Sequence, residues 1–228
     1  MSKVSIKKDL RPLFGPVRDQ GGRPTCLAFA ASDLHAAARG PWLPLSCEYI
    51  FYHAQKQSGR KPTEGATLPA MLAALRHDGQ PPEQKWAYLK AVPAEASQWV
   101  PPGSASPIFK RAGEETANTV KVIVDEVEAG RPVLTLLRLS PSFDWAKADG
   151  IVDPAVNEGP DFFRRHAVVA VGHGEWSGKR VVLVRNSWGD GWGVAGYGWL
   201  TEAFLLPRVF KLAILKEDLS VSTHSNAA

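Results

Sequence analysis

The stretch that decides the fold runs Val181-Val182-Leu183-Val184-Arg185-Asn186-Ser187-Trp188-Gly189-Asp190-Gly191-Trp192-Gly193 and continues to Gly196-Tyr197. Its apolar, β-branched start predicts a buried strand that ends at Asn186. The glycines and tryptophans after it predict a turn packed by aromatic rings. An asparagine held at such a point can accept the N–H of an imidazole and fix its tautomer. Trp188, two residues on, is placed to lie over that bond and exclude water.

Upstream, His166 opens the run Ala167-Val168-Val169-Ala170-Val171-Gly172, a second strand. A histidine there projects from a rigid element, positioned to take a proton and later return it to a leaving amine. Near the N-terminus, Cys26 begins an Ala-, Leu- and Phe-rich segment that ends with Arg39 before Gly40. This predicts a helix capped by Thr25, with Pro24 preceding it. The first turn of a helix favours a thiolate through its free N–H groups and dipole. Gln20, across a Gly-Gly turn from Cys26, can offer a side-chain N–H to a tetrahedral intermediate together with the Cys26 backbone N–H. Taken singly, each has a plainer reading: a packed core thiol, a strand-edge histidine, a surface glutamine. Their order along the chain favours acyl transfer at a thiol. His35, His53, His77, His173 and His224 lack a comparable setting and read as surface or packed histidines.

The chain has 228 residues, 44% of them apolar and 22% charged, ordinary for a globular protein able to bury a full core. The net charge is +4, and the basic residues are scattered without interleaved aromatics, so nucleic acid is not an expected partner. No apolar run approaches the roughly 18 residues of a membrane span. Met1–Asp9 lacks the apolar stretch of a secretory signal. Two cysteines, Cys26 and Cys47, are too few for a disulfide framework and read as reduced thiols.

Residues 1–22 read as an extended, turn-rich approach. Further helices are expected from Ser46 through Ala54, over Leu68–Arg76, and over Glu114–Ala129. Lys90–Pro107, rich in proline, reads as a connector between lobes. Strands are expected at 133–139, 167–171, 181–184 and 210–215, with a long irregular loop over 140–163. Trp145, Phe162 and Phe163 in that loop could line a pocket, but packing against the sheet is the favoured reading. The expectation is one domain of α+β class, with a mainly helical lobe over about 20–105, a β-rich lobe over about 106–215 and a flexible tail over 216–228. The site then falls in the cleft between the lobes.

Three segments together resemble the papain-like cysteine peptidases: Val17-Arg18-Asp19-Gln20-Gly21 with Cys26 and Ala28-Phe29-Ala30, His166-Ala167-Val168 through Gly174, and Asn186-Ser187-Trp188-Gly189 through Tyr197. The resemblance implies a two-lobe fold with a β-barrel-like second lobe. It also implies Cys26 as nucleophile, His166 as base and acid, Asn186 as orienter and Gln20 as oxyanion donor. Gly65 and Ala66 fall where the family binds the substrate backbone. No cofactor or metal is implied, and the partners expected are a protein or peptide substrate and a regulatory protein.

The departures carry expectations too. Arg23 stands where the family has a disulfide cysteine, so that bridge cannot form. Leu27 replaces a tryptophan, and Ala66 replaces a glycine. Arg165 precedes His166 where an acid is common, and is expected to disfavour the imidazolium. The segment begins close to Met1 and the cysteines read as reduced, as expected of a cytoplasmic form without a pro-segment, and the compact, disulfide-free pattern resembles bacterial members of the family. The alternatives on the same residues are a silent binding protein of this fold and an isopeptidase or transpeptidase.

Overall fold

The computed structural model describes residues 3–93, 95–146 and 149–220. Its elements in order are β1 (Ser5–Asp9), α1 (Cys26–Arg39), α2 (Cys47–Ser58), α3 (Leu68–His77), β2 (Arg111–Thr116), α4 (Val120–Glu128), β3 (Val133–Arg138), α5 (Pro141–Asp144), β4 (Ile151–Val152), β5 (Arg165–Trp176), β6 (Lys179–Arg185), β7 (Tyr197–Thr201), α6 (Glu202–Leu205) and β8 (Val209–Asp218). The architecture is α+β, with three helices in the N-terminal half and an eight-stranded sheet. The strand order is β2-β8-β3-β5-β6-β7-β4, with β1 pairing β5.

The sheet is antiparallel except for the short β4–β7 pair, and the buried stretches of its central strands are mostly apolar, with Thr135 an exception. Val133–Leu137 of β3 and Val181–Val184 of β6 are fully or almost fully buried, apart from Leu136, which looks into the cleft described below. Such runs cannot persist on a sheet wetted on one face, so both faces are covered. α1 lies against β5, with Leu27, Ala28, Ala30, Ala31 and Leu34 in the shared core.

Three expectations are corrected. Glu114–Ala129 is not one helix: Arg111–Thr116 pairs with β8, and α4 begins only at Val120. The helix start is set by Thr119, whose hydroxyl accepts from the Val122 N–H at 3.2 Å, an N-cap the acidic run 114–115 obscures. The N-terminal approach contains β1, a polar strand that adds an edge to the sheet of the other lobe. The expected tail starts later than residue 216. β8 runs to Asp218, whose carboxylate meets Arg39 at 2.9 Å and Arg111 at 3.2 Å, and Ser220 bonds back to Lys110. His224 lies outside the described residues.

Arg23, at the position of the missing bridge, is buried and forks onto Glu48 of α2. Its guanidinium nitrogens lie 2.6 and 3.0 Å from the two carboxylate oxygens and also reach the Leu89 carbonyl. Glu48 accepts further bonds from the Trp99 indole and the Leu89 N–H. A carboxylate whose remaining lone pairs are met in this way tolerates burial, while the Arg23 Nε has no hydrogen-bond partner among the described residues. The pair fastens the loop before Cys26 to α2 and to the connector. Both cysteines are free.

Candidate active site

Cys26 is the first residue of α1, half-buried, at the floor of a cleft of about 820 Å³ that Gln20, Gly65, Ala66, Leu68, His166, Ala167 and Trp188 also line. Thr25 does not cap the helix through its hydroxyl. That hydroxyl is 2.9 Å from the Tyr88 hydroxyl, which donates to the Gln20 carbonyl at 2.7 Å. The N–H groups of the first turn are therefore not occupied by a cap. Burial pushes the Cys26 thiol up, and the backbone N–H groups of Ala167, Leu27 and Cys26 itself pull it down.

His166 is buried at the start of β5, and its Nε2 is 2.7 Å from Asn186 Oδ1. The direction of this bond follows from a second one. The Ser187 backbone N–H donates to the same Oδ1 at 2.8 Å, which identifies that atom as the amide oxygen. An oxygen only accepts, so Nε2 carries the hydrogen and Nδ1 is left as the basic nitrogen. The ring is enclosed by Trp188, with centroids 4.7 Å apart, and by Phe143 at 5.7 Å. Trp192 holds Phe143 by an indole bond of 2.8 Å to its carbonyl.

The glycines of this turn are structural. Gly193 has φ +59°, and a Cβ there would lie 2.2 Å from the Tyr197 carbonyl oxygen. At Gly196, φ +81°, it would lie 2.5 Å from Val17.

Gln20 is held from both ends. Its Nε2 donates to the Arg23 carbonyl at 2.9 Å, and its Oε1 accepts from the Ser187 hydroxyl at 2.7 Å. The backbone also pairs, Gln20 N–H to Ser187 carbonyl at 2.9 Å and Gly189 N–H to Arg18 carbonyl at 3.2 Å. The segments carrying Gln20 and Asn186 are thus stitched directly together.

Sequence reasoning missed the residue that joins all of these parts. Asp33, buried on α1 two turns from Cys26, receives Arg18 on Oδ1 at 2.5 and 2.9 Å and Arg185 on Oδ2 at 2.6 Å. Arg18 lies two residues before Gln20, and Arg185 immediately precedes Asn186. The only signal in the sequence is an acid inside a helix that is mostly Ala, Leu and Phe.

Two expectations fail at the site. Arg165 lines the same cleft as His166, but its guanidinium lies over the Phe210 ring, 5.9 Å from its centre, and is not among the charges that act on the imidazole. The charges that act on His166 are Asp144 and Arg164, which pair with each other at 2.7 and 2.9 Å. Phe162 and Phe163 do not pack against the sheet: they are 58% and 97% exposed and line the cleft, and Trp145 is exposed as well.

Burial, opposed by the bond to Asn186, brings the His166 pKa down to about 4. His35, buried against Gln80, is likewise brought to about 4. An unfolded imidazole titrates near 6.5. Between these values the unfolded chain binds protons that the native state refuses. This contribution is therefore full above pH 6.5 and is lost as pH falls toward 4. Urea unfolding at pH 7.5 and 4.5 is expected to differ by about 2–3 kcal/mol for each histidine. Equal stabilities at the two pH values would contradict the burial described.

Compared with known proteins, residues 5–204 match the sequence model of the papain family cysteine proteases. The chain belongs to the papain family. It is 28% identical to mouse pro-cathepsin H over 81% of this chain and 56% of that protein. It spans about half the length of the curated relatives it matches. Among solved papain-like structures, it superposes on xylellain, a cysteine protease from Xylella fastidiosa, with a TM-score of 0.75 at 23% identity, covering 93% of this chain and 86% of that one. Bromelain from Ananas comosus, in complex with the E64 inhibitor, matches with a TM-score of 0.69 at 20% identity, covering 91% and 97%. These likenesses establish the papain fold. Among the described residues no helix is long and apolar enough to cross a membrane.

Proposed function

We propose that this chain hydrolyses peptide bonds through a thioester intermediate on Cys26. The observation that carries the reading is the His166 Nε2–Asn186 Oδ1 bond in a cleft that also contains Cys26 and Gln20. With Nε2 protonated toward Asn186, Nδ1 takes the Cys26 proton as sulfur attacks the carbonyl carbon. The developing oxyanion is met by the Cys26 backbone N–H and by the Gln20 Nε2 hydrogen not used on the Arg23 carbonyl. Collapse expels the amine, which takes the proton from His166, and leaves a thioester. Water, deprotonated by the same imidazole, then releases the acid. Gly65 and Ala66, on the cleft wall, supply backbone groups to the substrate, and Trp188 shields the His–Asn bond from water.

E64, an epoxide inhibitor found on bromelain, supplies the direct test. We expect stoichiometric labelling, located by mass spectrometry at Cys26 and absent from Cys47, whose thiol is buried and raised. Labelling that misses Cys26, with papain labelled alongside, favours a silent binding protein. A product mass that includes an added amine would mark transpeptidation instead. Gln20→Ala is expected to lower kcat by about 100- to 1000-fold with little change in KM. A kcat within threefold of the parent would remove it from the oxyanion site. A cytoplasmic setting and control by a partner protein belong to the same reading, to be checked by fractionation and by recovery of a bound inhibitor.

A further inference from the structure

The charged side chains lining the cleft are Arg60, Arg164, Arg165 and Lys211, with no carboxylate among the described lining residues. Three of these cations have a carboxylate of their own. Glu64 is 3.4 Å from Arg60, Asp144 is 2.7 Å from Arg164, and Glu115 is 2.7 Å from Lys211. Arg165 has none among the described residues, and its guanidinium lies 5.9 Å from the centre of the Phe210 ring.

Directly opposite Arg165 in the β3–β5 ladder stands Arg138, also without a carboxylate among the described residues. Its guanidinium lies 5.5 Å from the same Phe210 ring and 4.5 Å from Phe162. Its Nε is buried and has no hydrogen-bond partner among the described residues. Like charges facing each other across a ladder destabilise it, and a buried donor without an acceptor costs further. An anion that binds Arg165 from the cleft offsets the repulsion between the two guanidiniums. Phe162 and Phe210 provide an apolar surface for the methylenes that carry a carboxylate, and a guanidinium binds that group through two parallel bonds.

We propose that Arg165, backed by Arg138, is a specificity determinant that receives an acidic side chain of the substrate, so that the cleft selects peptides with glutamate or aspartate close to the scissile bond. The inference rests on the peptidase reading above and names its substrate class. It also gives Arg165 a role that does not pass through the imidazole.

The test is a set of peptide pairs differing only by Glu or Gln at each position around the scissile bond. At one position the parent protein is expected to show a kcat/KM ratio of about tenfold or more in favour of Glu. The ratio should fall toward one in Arg165→Gln, invert in Arg165→Glu and shrink in high salt, with thermal melts of each variant verifying the fold. A ratio near one at every position, with Cys26 labelled and neutral peptides cleaved, overturns the inference and leaves the peptidase reading standing. A Glu preference that survives both Arg165→Gln and Arg138→Gln overturns the assignment to this pair. If Cys26 proves inert, the peptidase reading fails. The same peptide pairs, titrated against the protein by fluorescence anisotropy, then decide the acidic preference: tighter binding of the Glu member supports it, and equal binding overturns it.

Discussion

Replacement of Cys26 by alanine is expected to reduce peptide hydrolysis by at least about four orders of magnitude while leaving the fold intact. The size follows from what remains. Without sulfur there is no thioester, and His166 with the oxyanion donors can only promote direct attack by water. The fold should survive because Cys26 is a half-buried residue at a helix start, lined on one side by open cleft. Alanine is also the best helix former, so α1 is not weakened. The measurement is kcat/KM on a fluorogenic peptide, with far-UV circular dichroism and a thermal melt as the fold control. Activity retained within tenfold, in protein shown free of contaminating protease, would remove Cys26 as nucleophile.

The largest expected effect on stability is at Asp33. Asp33→Ala strips the shared carboxylate from Arg185, whose side chain is wholly buried, and from Arg18, whose side chain is largely buried. Removing one partner of a buried pair costs about 3–5 kcal/mol, because the charge left behind is uncompensated. Here two guanidiniums are left, so the upper end applies. Arg185 keeps the Gly15 and Pro16 carbonyls and the Tyr197 hydroxyl, and Arg18 keeps the Leu45 carbonyl and Glu83 at 3.5 Å, which prevents a still larger loss. For a chain of this size the midpoint of melting should fall by roughly 10–20 °C. Urea unfolding gives the free energy, and a loss below about 1 kcal/mol would show that the network is dispensable. At temperatures where Asp33→Ala remains folded, kcat should still fall. Arg18 and Arg185 adjoin the segments carrying Gln20 and Asn186, and loosening both displaces the oxyanion donor and the imidazole from the sulfur.

The parts legible in the sequence were those encoded locally. Asn186 could be placed because a β-branched run stops at it and glycines crowd the turn that follows. His166 and Cys26 could be placed because each opens a periodic segment. What stayed hidden depends on partners distant in the chain. β1 reads as a polar leader because an edge strand with solvent on its open side need not be apolar. Residues 114–116 have helix-forming acids, yet pair with β8 because strand pairing outweighs so short a stretch of propensity. Thr25 looks like a cap and is diverted by Tyr88, some sixty residues on. Phe162 and Phe163 look like core residues and line a cleft instead. Ser187 carries no local signal and Asp33 only that of an acid in a largely apolar helix, since their roles exist only once Arg18, Arg185 and Gln20 arrive.

The Arg23–Glu48 brace has a consequence for the conditions under which this molecule can work. A thiol nucleophile must be kept reduced, whereas a cystine holding its loop must be kept oxidised, so a protein with both is caught between opposing demands. Here the loop is fastened by a guanidinium and a carboxylate, neither of which exchanges electrons with a thiol. Dithiothreitol or glutathione can therefore be raised as far as Cys26 needs without loosening the segment that presents it. Redox potential governs the sulfur alone, and the scaffold around it is indifferent.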